Sequence, residues 1–153
     1  MILNPLFIVA DEPVSMLDVS IRSGVMNLML RLREERKITY LFVSHDISTV
    51  RYMSDRIAIM YAGKVVEIGS REDVIQNPAH PYTKILLSAV PVPDPDHHRK
   101  RMLLRGEPPG LDNIPEGCRF HPRCPSAKET CKEVEPDFQV VKGNHIVACP
   151  FLQ

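Results

Sequence analysis

Leu6-Phe7-Ile8-Val9-Ala10-Asp11-Glu12 and Tyr40-Leu41-Phe42-Val43-Ser44-His45-Asp46 are short apolar runs that each end in polar or charged side chains. Continuous apolar runs of this length are the pattern of parallel strands buried on both faces. Between them Ile21, Val25, Leu28, Met29 and Leu32 recur at helical spacing, with Arg22, Asn27, Arg33 and Glu34 filling the other side. Strand, helix, strand makes one βαβ unit. Its strands run parallel and, if adjacent, bring their carboxyl ends to one edge, where open α/β sheets bind ligands. The informative residues are therefore Asp11-Glu12 and Ser44-His45-Asp46. A carboxylate at such an edge can hold a hydrated magnesium ion, its neighbour can orient or deprotonate a water, and an imidazole can donate to a phosphate oxygen. For a lone strand ending in Asp-Glu, solvated charge is the commoner explanation.

The 153 residues suit one core with an appendage. Nineteen Lys and Arg against nineteen Asp and Glu give a net charge of +0, which removes the electrostatic footprint of a protein whose main partner is nucleic acid. No apolar run approaches the ~20 residues of a membrane-spanning helix. Met1-Ile2-Leu3-Asn4-Pro5 lacks the basic and apolar regions of a secretory signal, so a reducing, cytosolic compartment is expected.

Further along, the pattern predicts a helix over 47–54, then strands over Arg56–Met60 and Val65–Ile68 joined around Tyr61-Ala62-Gly63-Lys64. Ser70 with Asp73 is a capping-box pattern opening a short helix that Asn77-Pro78 ends. Pro81 suits the first turn of the next helix, and Pro91 stops it. Prolines 91, 93, 95, 108, 109 and 115 mark an extended connector, in which His97-His98-Arg99-Lys100-Arg101 reads as a solubilising basic run. All four cysteines follow it, Cys118, Cys124, Cys131 and Cys149, spaced C-x5-C-x6-C-x17-C. A tail of about 40 residues with few apolar side chains calls for a staple. Disulfides are rare in the cytosol, zinc takes four thiolates but usually from C-x2-4-C knuckles, and an iron–sulfur cluster tolerates wider spacings. His121, between two of the cysteines, is either a donor behind a ligand or an ordinary exposed histidine.

LFIVADEP followed by SMLD and, after a helix, by LFVSHD resembles the ATP-binding cassette ATPases. The resemblance makes Asp11-Glu12 the end of a Walker B strand, Ser15-Met16-Leu17-Asp18 a D-loop and His45 the switch histidine. It implies that Asp11 supports magnesium, Glu12 is the catalytic base, His45 contacts the γ-phosphate, Ser44 lies among the nucleotide-binding residues, and Asp18 sits where two nucleotide sites meet. Met16 stands where the family more often has Ala. Asn77-Pro78-Ala79-His80-Pro81-Tyr82-Thr83, with Leu86-Leu87-Ser88-Ala89-Val90-Pro91, is similar to the C-terminal extension of the ATPase subunits of oligopeptide and dipeptide importers. GCRFHPRCP, with two cysteines downstream, resembles their cysteine pattern, which implies a four-iron, four-sulfur cluster on Cys118, Cys124, Cys131 and Cys149, with zinc as the alternative.

No G-x-x-x-x-G-K-S/T loop, Gly-Gly signature or glutamine loop is present. The expected fold class is thus α/β, the C-terminal portion of a P-loop-type cassette from Walker B onward, plus a small, irregular, metal-stapled tail. The expected boundaries are 1–76 for the cassette part, 77–91 for the helical extension, 92–115 for the linker and 116–153 for the cysteine-rich tail. The resemblance implies a peptide-importer ATPase using ATP and Mg²⁺ and lying peripherally on the cytoplasmic face of the membrane. Its implied partners are a second ATPase subunit, two transmembrane permease subunits and an extracellular solute-binding protein, with no nucleic acid. A soluble cassette ATPase and a stand-alone metal-binding interaction module are the alternatives.

Overall fold

The computed structural model describes residues 4–90, 104, 106–110 and 112–151. Pro91 as a helix stop, the basic run 97–101 and most of the linker 92–115 lie outside the described residues. The chain divides into two compact units, Met1–Ser54 and Asp55–Gln153.

In the first unit, β1 (Phe7–Asp11) leads through α1 (Val19–Arg36) to β2 (Thr39–Val43) and then α2 (Ile47–Met53). The two strands pair in parallel from Phe7 opposite Thr39 to Asp11 opposite Val43, which brings their carboxyl ends together. Asp18 starts α1 by accepting from the Ile21 amide at 3.0 Å, and Asp46 starts α2 by accepting from the Ser48 amide at 2.9 Å. Two expectations are corrected here. The strands are not buried on both faces, since Phe7, Val9, Leu41 and Val43 are 43–59% exposed. A single crossover helix covers only one side of a two-stranded sheet, so every second side chain stays open. The predicted stripe of α1 holds only in part: Val25, Met29 and Leu32 are half-buried, but Ile21 and Leu28 are exposed whereas Arg22 and Arg33 are half-buried. Arg22 donates to the Leu17 carbonyl at 3.1 Å, and Arg33 to the Met53 carbonyl at 3.5 Å.

In the second unit, β3 (Arg56–Tyr61) and β4 (Lys64–Ser70) form the expected hairpin. Its turn places Ala62 and Gly63 at φ 46° and 79°, the left-handed pair that suits the twist of a two-residue hairpin. Ser70 caps α3 (Arg71–Gln76) through Asp73, as the capping box predicts, and α4 (Pro81–Ser88) follows. A 3₁₀ turn (His121–Arg123), α5 (Thr130–Glu133), β5 (Gln139–Lys142) and β6 (His145–Val147) come next.

The sheet order is β3-β4-β6-β5, so the tail supplies two of the sheet's four strands instead of forming an irregular appendage. Phe120, 1% exposed, sits 5.1 Å from the Tyr61 ring and 5.3 Å from the Tyr82 ring, edge-on or tilted. Burying one such ring contributes about 1.5–3 kcal/mol, with roughly 0.5–1.5 more per aromatic pair. Packing of this kind joins the tail to the hairpin and α4. Among the described residues no three His, Cys, Asp or Glu side chains are grouped so as to hold one ion.

Candidate functional site

Two groups of polar side chains stand out, one in each unit. At the carboxyl edge of β1 and β2, the Glu12 amide continues the ladder by donating to the Val43 carbonyl at 2.9 Å. Glu12 then takes φ 46°, a left-handed conformation uncommon for a residue with a Cβ. Ser15 holds it there, its hydroxyl donating to the Glu12 carbonyl at 3.0 Å. Strain of about 1–3 kcal/mol persists only where the surroundings over-determine it, and it concentrates at functional positions.

The turn aims the Glu12 carboxylate back across the sheet edge. Its Oε1 accepts from the His45 amide at 2.9 Å and meets His45 Nδ1 at 2.7 Å, and its Oε2 accepts from Ser44 Oγ at 3.4 Å. The hydrogen bond to His45 is the main cause that holds the Glu12 carboxyl below its ordinary range. Glu12 is therefore ionised near neutrality and can accept a proton or orient a water. The His45 side chain is 80% exposed, open to a ligand on its outer edge. Of the residues singled out by sequence, Glu12, Ser44 and His45 come together here, with Asp11 adjacent as the last residue of β1. Asp18 does not join them; it caps α1, and hydrogen bonds from the Ile21 amide and Ser20 hold its carboxyl low.

The second group belongs to the tail. Cys118, Cys124, Cys131 and Cys149 line one cavity, together with His80 and His121. All four are free thiols. Burial pushes the Cys118, Cys124 and Cys149 thiols up, and neighbouring cysteines push the same way. Backbone amides oppose them: Phe120 toward Cys118, Ser126 toward Cys124 and Phe151 toward Cys149, each two residues on. The Lys128 amide donates to Cys131 Sγ at 3.5 Å. Gly117, at φ 66°, permits the close approach that lets the Cys118 amide donate to the Cys131 carbonyl at 2.9 Å.

Sequence reasoning missed the support beneath this cavity. Glu67 on β4 is fully buried and accepts from the Ala79 amide at 2.8 Å, the His80 amide at 3.0 Å and His145 Nε2 at 2.7 Å. One carboxylate thus ties β4, the start of α4 and β6. His80, 1% exposed, caps α4 by accepting from the Tyr82 amide at Nδ1, 3.1 Å away. Burial pushes its imidazole down to about 4. The signal for Glu67 was a lone carboxylate inside the strand run, which by itself reads as an outward-facing position.

Comparison with known proteins gives similarities over most of the chain. Residues 66–131 match the family described as "Oligopeptide/dipeptide transporter, C-terminal region", a span holding Glu67, His80 and three of the cysteines. Over 149 residues the chain is 52% identical to the oligopeptide transport ATP-binding protein AppF of Bacillus subtilis (strain 168), covering 96% of this chain and 45% of that protein. The chain is thus similar, over nearly its whole length, to part of a peptide-transport ATP-binding protein. It is also 46% identical over 149 residues to the dipeptide transport ATP-binding protein DppF of Haemophilus influenzae, covering 97% of this chain and 46% of that protein. The chain therefore spans a little under half the length of these relatives. No helix among its described residues is long and apolar enough to cross a membrane.

Proposed function

We propose that this chain forms the Walker B and C-terminal portion of an ATP-hydrolysing subunit of an oligopeptide or dipeptide importer. The observation that carries the reading is the Glu12–His45 contact at the carboxyl edge of two parallel strands, in a chain about half identical to named peptide-transport ATP-binding proteins. In this role Glu12, already ionised, takes the proton of the attacking water, and Ser44 and His45 hold its two oxygens until nucleotide arrives. His45 then turns its exposed ring to the γ-phosphate. Asp11 holds the waters of a bound Mg²⁺, whose chemistry is to neutralise charge on the phosphates. Asp18 faces the second nucleotide site of a dimer. Region 66–131 favours an importer over a soluble cassette ATPase, and the strand-end site favours it over a stand-alone metal module. The partners proposed are a second ATPase subunit, a pair of transmembrane permeases and an extracellular binding protein, with this subunit peripheral on the cytoplasmic face.

For the four thiols we propose an iron–sulfur cluster, with zinc as the alternative. Four sulfurs on one cavity, each approached by a backbone amide, with Cys118, Cys124 and Cys149 disfavoured as thiolates by burial and by neighbouring cysteines, suit a cationic centre that takes up their charge. The spacing C-x5-C-x6-C-x17-C favours a cluster over zinc, whose structural sites usually use C-x2-4-C knuckles. When bound, such a centre supplies one-electron chemistry and folding free energy.

The decisive experiment is Glu12→Gln in the protein as the cell makes it. ATP binding is retained while ATP hydrolysis and peptide uptake fall by a factor on the order of 10²–10⁴. Wild-type turnover in that variant would refute the assignment of Glu12 as the base.

A further inference from the structure

We infer that Arg22 is a positioning residue for the strand-end site: its guanidinium pins segment 44–46, after β2, to turn 15–18, after β1, and so sets where Ser44 and His45 meet Glu12. This rests on the reading of Glu12 as the base of ATP hydrolysis. Arg22 lies in the first turn of α1, its amide donating to the Asp18 carbonyl at 2.9 Å. From there the side chain reaches two loops. One terminal nitrogen donates to the Leu17 carbonyl at 3.1 Å, and the other forms an ion pair with Asp46 Oδ2 at 3.5 Å. Asp46 is itself fixed, since its Oδ1 accepts from the Ser48 amide and its Oδ2 from Thr49 Oγ1, both at 2.9 Å. Its amide donates to Ser44 Oγ at 3.2 Å, and that hydroxyl donates to Glu12 Oε2 at 3.4 Å. Asp46 also follows His45 directly, whose amide and Nδ1 both meet Glu12 Oε1. Moving Asp46 therefore moves both groups that hold the Glu12 carboxylate.

Stability alone does not explain an arginine at this position. A half-buried guanidinium gives up hydration, and among the described residues Arg22 Nε is buried with no hydrogen-bond partner. An apolar side chain would continue the half-buried stripe of Val25, Met29 and Leu32 without that loss. What the planar guanidinium supplies instead is donors in a fixed fork, here shared between two loops. A second polar tie joins the same helices later in both, where Tyr52 donates to Asn27 Oδ1 at 2.5 Å. That tie holds α1 to α2 but touches neither loop, so it separates the effect of joining the helices from the effect of placing segment 44–46.

The test measures kcat and KM for ATP in the protein as the cell makes it, with Glu12→Gln alongside. Arg22→Ala should lower kcat about tenfold and leave KM within about twofold, because Arg22 acts on the placement of the base. Arg22→Lys keeps the charge without the fork and should recover part of the loss. Asp46→Asn keeps the cap oxygen of α2 and removes the charge that Arg22 meets. It should match Arg22→Ala, and the double variant should fall no further than either alone. Tyr52→Phe should keep the wild-type kcat. In the same proteins without nucleotide, exchange of the His45 amide, which donates to Glu12, should quicken in Arg22→Lys and Asp46→Asn. Exchange of the Glu12 amide, held by the Val43 carbonyl, should stay as in the wild type. Wild-type kcat in both Arg22→Lys and Asp46→Asn, equal quickening at the two amides, or a Tyr52→Phe protein as slow as Arg22→Ala overturns the inference, while a slow Glu12→Gln protein leaves the base assignment standing. Wild-type turnover in Glu12→Gln overturns that assignment, and this inference with it.

Discussion

The His80 imidazole is pushed by burial from its ordinary 6.5 down to about 4, while the charge of Glu67 pulls the other way. Between those two values the unfolded chain binds a proton that the folded chain does not. The folded state is therefore at full strength above pH 6.5 and loses stability as pH falls toward 4, with a ceiling of about 3 kcal/mol. Hydrogen exchange at the Tyr82 amide, which donates to His80 Nδ1, reads this directly. Its protection should fall steadily across that window in the wild type. In His80→Asn, where a cap acceptor remains but nothing titrates, protection should be nearly flat over the same range. An unchanged slope in the variant would assign the pH dependence to another group. Glu67 explains why a neutral ring can be kept in such a place: it binds the His80 backbone, not the ring, and gives its remaining capacity to Ala79 and His145.

At the scale of elements, the turn before Cys118 depends on one glycine. A Cβ at Gly117 would lie 2.6 Å from the Cys131 carbonyl oxygen and 2.7 Å from the Lys132 carbonyl carbon, backbone atoms that cannot turn aside. Left-handed strain and overpacking together make Gly117→Ala cost about 3 kcal/mol. Gly143→Ala, at φ 54° with nothing within 4 Å, carries only the conformational part, about 1 kcal/mol. Urea unfolding of the two variants should separate them by that difference, and Gly117→Ala should also speed alkylation of Cys131. Equal midpoints would show that the two turns are equally tolerant.

What was legible from sequence were the elements whose signals are local: the βαβ unit, the hairpin, and the Ser70–Asp73 cap. The pairing of Glu12 with His45 was legible for a related reason, because a parallel crossover brings those strand ends together. Long-range partners were not. Glu67 looks like an outward position until His145, 78 residues away, is brought to it. The three residues of β6 are too few to show an alternation. The face of α1 was read only in part, because Arg22 and Arg33 lay their stems along the unit and find carbonyls at their ends, which a count of apolar residues cannot register.

Over the whole molecule, the most consequential surface is the open side of the two-stranded sheet. Val9 faces Leu41 across the ladder and Phe7 precedes them on the same side, all more than half exposed. Parallel sheets are ordinarily covered on both faces, and an apolar patch of this kind associates with whatever apolar surface it meets. Relatives such as AppF hold more than half of their length outside the aligned segment, ample for a second layer over such a face. The 153-residue chain alone should therefore bind an apolar dye and self-associate as its concentration rises. The double variant Val9→Thr with Leu41→Thr keeps β-branched side chains on the pleat and removes apolar area from the middle of the patch. It should sediment as a monomer over a wider concentration range, with urea stability within about 1 kcal/mol of wild type. Self-association that is unchanged in the double variant would move the sticky surface elsewhere. The exposed side of β5, with Val140 67% exposed and Phe138 47% exposed just before it, is then the surface to alter next.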